Sequence, residues 1–280
     1  MDHLYSIKKT ESITSGTTAI LGIPFDENSS YMRGSAKAPG VVREVLTNGA
    51  SNLFSENGVN LSENPQFVDA GDLELPKGPA AMDAIYKAVK KLLTKGYRVL
   101  ALGGDHAITY PIVKAHAEFH ENLTIVHLDA HPDLYDTFDQ NPYSHACPFA
   151  RIMENNYAGR LVQIGIRGLN DLQRKQIKRF NVKTIEMKDW NREIPIKADG
   201  PIYLSLDMDV LDPAFAPGVS HHEPGGLTSR EVIHLIQNLP MPVAGADIVE
   251  FNPLRDVNGI TAAAAAKFLK EIAGTMIAPI

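Results

Sequence analysis

Short apolar runs that alternate with helical periods constrain this chain more than any other feature of it. Residues 17–24 read as a buried strand closed by Pro24, and 66–70, 98–102, 124–128, 160–166, 182–185, 202–207 and 243–249 repeat that pattern. Between them, Ala81, Ile85, Ala88, Val89, Leu92 and Leu93 recur at spacings of three and four with lysines opposite, which predicts an amphipathic helix over 79–95. A further helix starts at Pro39, since proline suits a first helical turn. Others are expected over 108–120, 170–179, 228–238 and the alanine-rich 260–274. Strands separated by helices pair in parallel, with helices covering both faces of the sheet. No repeat, low-complexity tract or linker divides the 280 residues, so 1–280 reads as a single domain. A chain of that length buries a core without needing disulfides.

Parallel sheets of this kind collect ligands beyond the carboxyl ends of their strands, and polar clusters stand at those ends here. The run 124–128 leads into Asp129, His131 and Asp133, whose spacing of two puts them on one face of an extended backbone. The run 202–207 ends in Asp207, followed by Asp209. Two carboxylates on one face are costly to bury without a counter-ion, although an exposed acidic turn would explain them too. His106 follows Gly103-Gly104; a lone histidine is more often structural, and the glycines match no phosphate-binding fingerprint. Together these are two imidazoles and four carboxylates, an oxygen-rich set without thiolate that suits Mn²⁺ better than zinc. Six ligands exceed the needs of one ion. A two-metal site follows, its ions about 3.5–4 Å apart and sharing carboxylates and a bridging hydroxide.

Composition narrows the partners. A formal charge of -6 argues against nucleic acid and suits cations. The one cysteine, Cys147, cannot form an internal disulfide, which fits a reducing compartment. The first sixteen residues carry no apolar core of a secretory signal, and no apolar run approaches the ~20 residues that span a bilayer. A cytoplasmic protein without membrane contact is the expectation.

The ordered motifs GGDH, DAHPD, SLDMDVLDPAFAPG and VEFNP resemble the ureohydrolase family of arginases, agmatinases and their relatives, over about residues 20 to 275. YSHACPFARI and DPAFAPGVSHHEPGGL are most similar to the plant-type arginase branch. The resemblance implies a three-layer α/β/α fold with a mainly parallel eight-stranded sheet. It also implies a dimanganese centre, two Mn²⁺ per subunit, that hydrolyses a cationic guanidino substrate to urea and an amine. By motif, His106 and Asp133 would bind one metal, His131 and Asp209 the other, and Asp129 and Asp207 both. His145 would shuttle a proton to the leaving amine, Glu250 would pair with the guanidinium, and Asp209 with the metals would stabilise the tetrahedral intermediate. A trimer or hexamer would be the assembly.

The resemblance loosens at the substrate's far end. Animal-type arginases hold the amino-acid end through an asparagine where this chain has Tyr135, and through an aspartate where it has Asn170. Asn170 thus stands as a substrate-binding candidate, and arginine is expected, with agmatine or another guanidino acid as the alternative. A single-zinc, deacetylase-like amidohydrolase would leave ligands unused, and a non-catalytic scaffold would not keep all six. His221-His222-Glu223 precedes Pro224-Gly225-Gly226 and so forms no metal-binding helix, though one of these histidines could touch substrate. Cys147 reads as a small buried residue rather than a nucleophile.

Overall fold

The computed structural model describes residues 8–9, 16–62, 64–191 and 196–277. Most of the first sixteen residues, on which the expectation of no secretory signal rests, lie outside them. Among the described residues nine strands form one sheet: β1 (Lys8–Lys9), β2 (Thr18–Gly22), β3 (Phe67–Asp72), β4 (Arg98–Leu102), β5 (Thr124–Leu128), β6 (Arg160–Ile166), β7 (Lys183–Glu186), β8 (Ile202–Asp207) and β9 (Val243–Val249). Their order is β1-β3-β2-β4-β9-β8-β5-β6-β7, and every pairing is parallel. Eight of these match the expected strands, and β1 adds a two-residue edge.

Seven helices cover the sheet among the described residues: α1 (Ala38–Thr47), α2 (Ala80–Thr94), α3 (Thr109–His116), α4 (Pro148–Glu154), α5 (Asp171–Arg179), α6 (Ser229–Gln237) and α7 (Ile260–Ile277). Alternation along each strand sorts the core into two layers. Leu100, Leu102, Val126, Leu128, Leu204 and Leu206 pack with residues of α1, α6 and α7. Val99, Ala101, Ile125 and Tyr203 pack on the other face with α2, α3 and α4. The strands β2, β5, β8 and β9 are buried along their whole length, as a doubly covered parallel sheet demands. This is the three-layer α/β/α arrangement.

Two local departures have plain causes. The helix expected over 108–120 begins at Thr109, because Asp105 Oδ1 accepts from Ala107 N–H (3.1 Å) and winds 106–108 into a 3₁₀ turn. The seven-residue α4, which opens on Pro148, is too short to declare a helical period and was not expected. Of the two glycines before His106, Gly104 is the more constrained: a Cβ there would lie 1.6 Å from the Phe25 carbonyl oxygen.

One core residue carries a measurable consequence. His116 on α3 is fully buried, and neither ring nitrogen has a hydrogen-bond partner. It packs on Tyr203 and His120 and occupies the space a Cβ at Gly245 would need. Burial, reinforced by His120, pushes its imidazole down to about 3. The unfolded chain, with a histidine near 6.5, takes up the proton first. Stability is therefore whole above about pH 6.5 and falls by about 1.4 kcal/mol per unit as pH drops toward 3. Thermal melts should show a shallower acid limb for His116→Leu between pH 6.5 and 4. An unchanged slope would refute this account.

Candidate active site

Four neighbouring strands at the centre of the sheet, β4, β9, β8 and β5, end at one place. They deliver His106, Glu250, Asp207 with Asp209, and Asp129 through Asp133 respectively. The chain's last strand enters between β4 and β8, so His106 N–H donates to Glu250 Oε1 at 2.9 Å across 144 residues of sequence.

The side chains converge, though not by continued strand. β5 stops at Leu128, and Asp133 turns into the left-handed region at φ 49°. Asp207 caps a 3₁₀ turn, Met208–Val210, through Oδ1, which accepts from Asp209 N–H at 2.8 Å. Two groupings result. His106 Nδ1 lies 3.2, 3.1 and 3.2 Å from carboxylate oxygens of Asp129, Asp133 and Asp207. His131 Nδ1 lies 3.0 Å from Asp209 and 3.5 Å from the other oxygen of Asp129, so Asp129 spans both groupings.

Whether these residues suit a cation is decided at His106. Its Nε2 sits 2.9 Å from Ser205 Oγ, whose own proton goes to Asp247 Oδ1 at 2.7 Å. Nε2 is thus the protonated nitrogen. Nδ1, fully buried and without a hydrogen bond, points among three carboxylate oxygens. That arrangement is repulsive unless a cation lies between them. Separations of 3.1–3.2 Å are close enough for these donor atoms to share one cation. The residues fit. Burial, with the charges of Asp209 and Asp129, raises Asp207 well above the carboxylate range, and burial with Asp129 raises Asp209. Such a crowd of acids stays ionised only with positive charge supplied.

His145, on the loop before α4, is 8% exposed. Its Nδ1 is 2.8 Å from Glu250 Oε1, and its Nε2 is 2.7 Å from Ser30 Oγ. Burial pulls its pKa down, but the Glu250 carboxylate overrides this and raises it to about 9. Glu250 is itself buried, with a left-handed φ of 62°. This is a sparsely populated conformation for a side-chain-bearing residue, held by Glu250 N–H donating to Gly104 O at 2.9 Å. Glu250, His145, His131, Tyr135, His221 and Ser30 share the lining of one cavity of about 170 Å³.

Asn170 is not brought to that lining. It caps α5, accepting from Gln173 N–H at 3.0 Å, and its amide nitrogen bonds the Tyr135 hydroxyl, so its route to the cavity runs through Tyr135. His222 turns aside to Pro217 O at 2.8 Å, while His221 faces the cavity. Cys147 is buried, and burial pushes its thiol up to about 12, far from a thiolate.

Sequence reasoning passed over two supports. His127 holds Asp129 Oδ2 through Nε2 at 2.6 Å. Gln163 Nε2 donates to Pro132 O and to His127 Nδ1, which fixes the His127 tautomer. The signal was present, since His127 precedes Asp129 by two. Ser30 left no signal: it is one of several serines in a polar loop.

The arginase family model matches residues 17–274. "Arginase 1, mitochondrial" of Arabidopsis thaliana is 44% identical over 92% of this chain and 80% of its own. An agmatinase of Bacillus anthracis is 35% identical over 97% of each. The solved arginase from Medicago truncatula superposes with a TM-score of 0.87 at 42% identity, covering 93% of this chain and 87% of that one. These relatives correct one expectation. Plant arginases among them are named mitochondrial, or chloroplastic and mitochondrial, and against these names the expectation of a cytoplasmic protein does not stand. A lone reduced cysteine says only that a compartment is reducing, and does not choose between compartments. By sequence, fold and the convergence of its strand ends, the chain belongs to the arginase family.

Proposed function

We infer that this protein hydrolyses the guanidino group of L-arginine, releasing urea and ornithine, with two Mn²⁺ held by His106, Asp129, His131, Asp133, Asp207 and Asp209. The observation that carries this reading is His106 Nδ1, without a hydrogen bond among three buried carboxylates, on a residue whose backbone N–H donates to Glu250. When bound, such ions supply an activated water and the positive charge that this acidic cluster requires. The protein's own groups do the rest. Glu250 is fixed through Oε1 by His145 and by His106 N–H, and its other oxygen is left for the guanidinium. Asp209, positioned by Ala130 N–H (3.0 Å), lies across the same cavity, where developing charge needs a partner. His145, bonded to Glu250 at 2.8 Å, is the group that supplies the proton the leaving nitrogen needs. The chain works as one domain within a homo-oligomer, a trimer or hexamer.

A second reading, agmatine, is favoured by one observation: among the described residues lining the cavity there is no Lys or Arg to meet an α-carboxylate. Identity to plant arginases, higher than to the agmatinase, supports arginine. Urea release should be measured with arginine, agmatine and shorter guanidino acids after loading with Mn²⁺, Zn²⁺ or Ni²⁺. The expected result is arginine turnover, greatest with Mn²⁺, and clear rejection of the wrong polar end. No urea from any substrate with any metal would sink the reading.

A further inference from the structure

We propose that Ser30 is a catalytic residue of this site, the hydroxyl through which His145 passes its proton to the leaving amine. The proposal rests on the hydrolase reading above and adds a residue to it. Its ground is the bonding of His145. One ring nitrogen, Nδ1, is committed to Glu250 Oε1 at 2.8 Å. The other, Nε2, meets Ser30 twice, Oγ at 2.7 Å and the backbone N–H at 3.2 Å. The buried imidazole therefore turns neither nitrogen to the open cavity. Ser30 does reach it: the residue is exposed and its side chain lines the same cavity as Glu250 and Asp209. A proton leaving His145 from Nε2 must cross Ser30 Oγ, unless the ring breaks both of its bonds to turn.

The contact is built rather than incidental. Ser30 stands on the loop between β2 and α1, and Asp105 pins that loop through Asn28 N–H (2.9 Å). His145 N–H donates to Asn28 O at 3.2 Å, which ties the two loops together. Asp26 Oδ2 closes the far end by accepting from Gly34 N–H at 2.7 Å. These bonds hold Ser30 against the ring without help from substrate, as proton transfer within hydrogen-bond reach requires.

The transfer balances as a relay. As the C–N bond breaks, its electron pair stays on the amine nitrogen, which takes the Ser30 hydroxyl proton. Ser30 Oγ takes the proton of the His145 imidazolium at Nε2, so the serine ends unchanged and the histidine neutral. The backbone N–H of Ser30, which can only donate, then faces a lone pair on Nε2 and favours the products.

Ser30→Ala removes the hydroxyl but keeps that N–H, and Ser30→Thr keeps both. With the full-length, Mn²⁺-loaded protein, Ser30→Ala should lose about a hundredfold in kcat, within the range for a general acid. KM for arginine, bound metal and melting temperature should stay near those of the parent. Ser30→Thr should recover most of kcat. ¹⁵N NMR should show the His145 Nε2 resonance displaced in the alanine variant and parent-like in the threonine variant. An alanine variant within twofold of the parent in kcat, or a threonine variant as slow as the alanine one, would overturn the proposal. Failure of the parent to release urea would instead strike the hydrolase reading, so the two failures are told apart.

Discussion

Asp207→Ala should lose bound metal and urea release together, with turnover down by at least about four orders of magnitude. Asp207 supplies one of the three oxygens around His106 Nδ1, and its other oxygen shapes the turn that presents Asp209. Its removal opens the first grouping and loosens the second. Without the cations, water is no nucleophile at neutral pH, since it ionises near 15.7 and not near the ~7 reached on a metal. Asp207→Asn separates charge from shape. It keeps an acceptor for Asp209 N–H while removing the charge whose burial, with repulsion from Asp209 and Asp129, raises Asp207 well above the carboxylate range. Stripped of metal, the asparagine variant should melt no lower than the stripped parent, and Mn²⁺ should raise its melting temperature less. Metal content by mass spectrometry, urea assay and paired melts decide the matter. An alanine variant that is active and metal-free would end the model.

Glu250→Gln should lower kcat/KM for arginine by about a thousandfold while metal content stays at the parent's level. A buried charge deprived of its partner costs about 3–5 kcal/mol, and two cations lose theirs here: the guanidinium and the His145 imidazolium. Glutamine keeps an acceptor for His106 N–H, so the turn at Glu250 should survive. The sign of the His145 shift follows. Burial alone lowers its pKa, and the Glu250 carboxylate is the main reason that it stands at about 9. With that charge gone, His145 should titrate well below its parental value of about 9, which ¹⁵N NMR would register. A variant that keeps parental kcat/KM would exclude Glu250 as the guanidinium partner.

Much of the scaffold was legible because its signals are local. Val243–Val249 and Ile202–Asp207 are apolar throughout, which marks strands buried on both faces. α2 declared itself through its stripe of Ala81, Ile85, Val89 and Leu93. α4 did not, because seven residues hold too little of a period. The spacing of Asp129, His131 and Asp133 promised one face of a strand, yet turned backbone after Leu128 gathers them. Ser30 was hidden because a loop serine carries no pattern, and only the loop's anchoring to Asp105 sets it against His145.

By itself, then, the sequence determined the kinds of donor present and their positions at strand ends, because side-chain chemistry and periodicity are read residue by residue. Strand order it left to tertiary structure. Entry of β9 between β4 and β8 results from packing two apolar faces at once, and no window of sequence contains that choice. The same packing brought Glu250 beside His106, divided the oxygens of Asp129 between two imidazoles, and closed both nitrogens of His145.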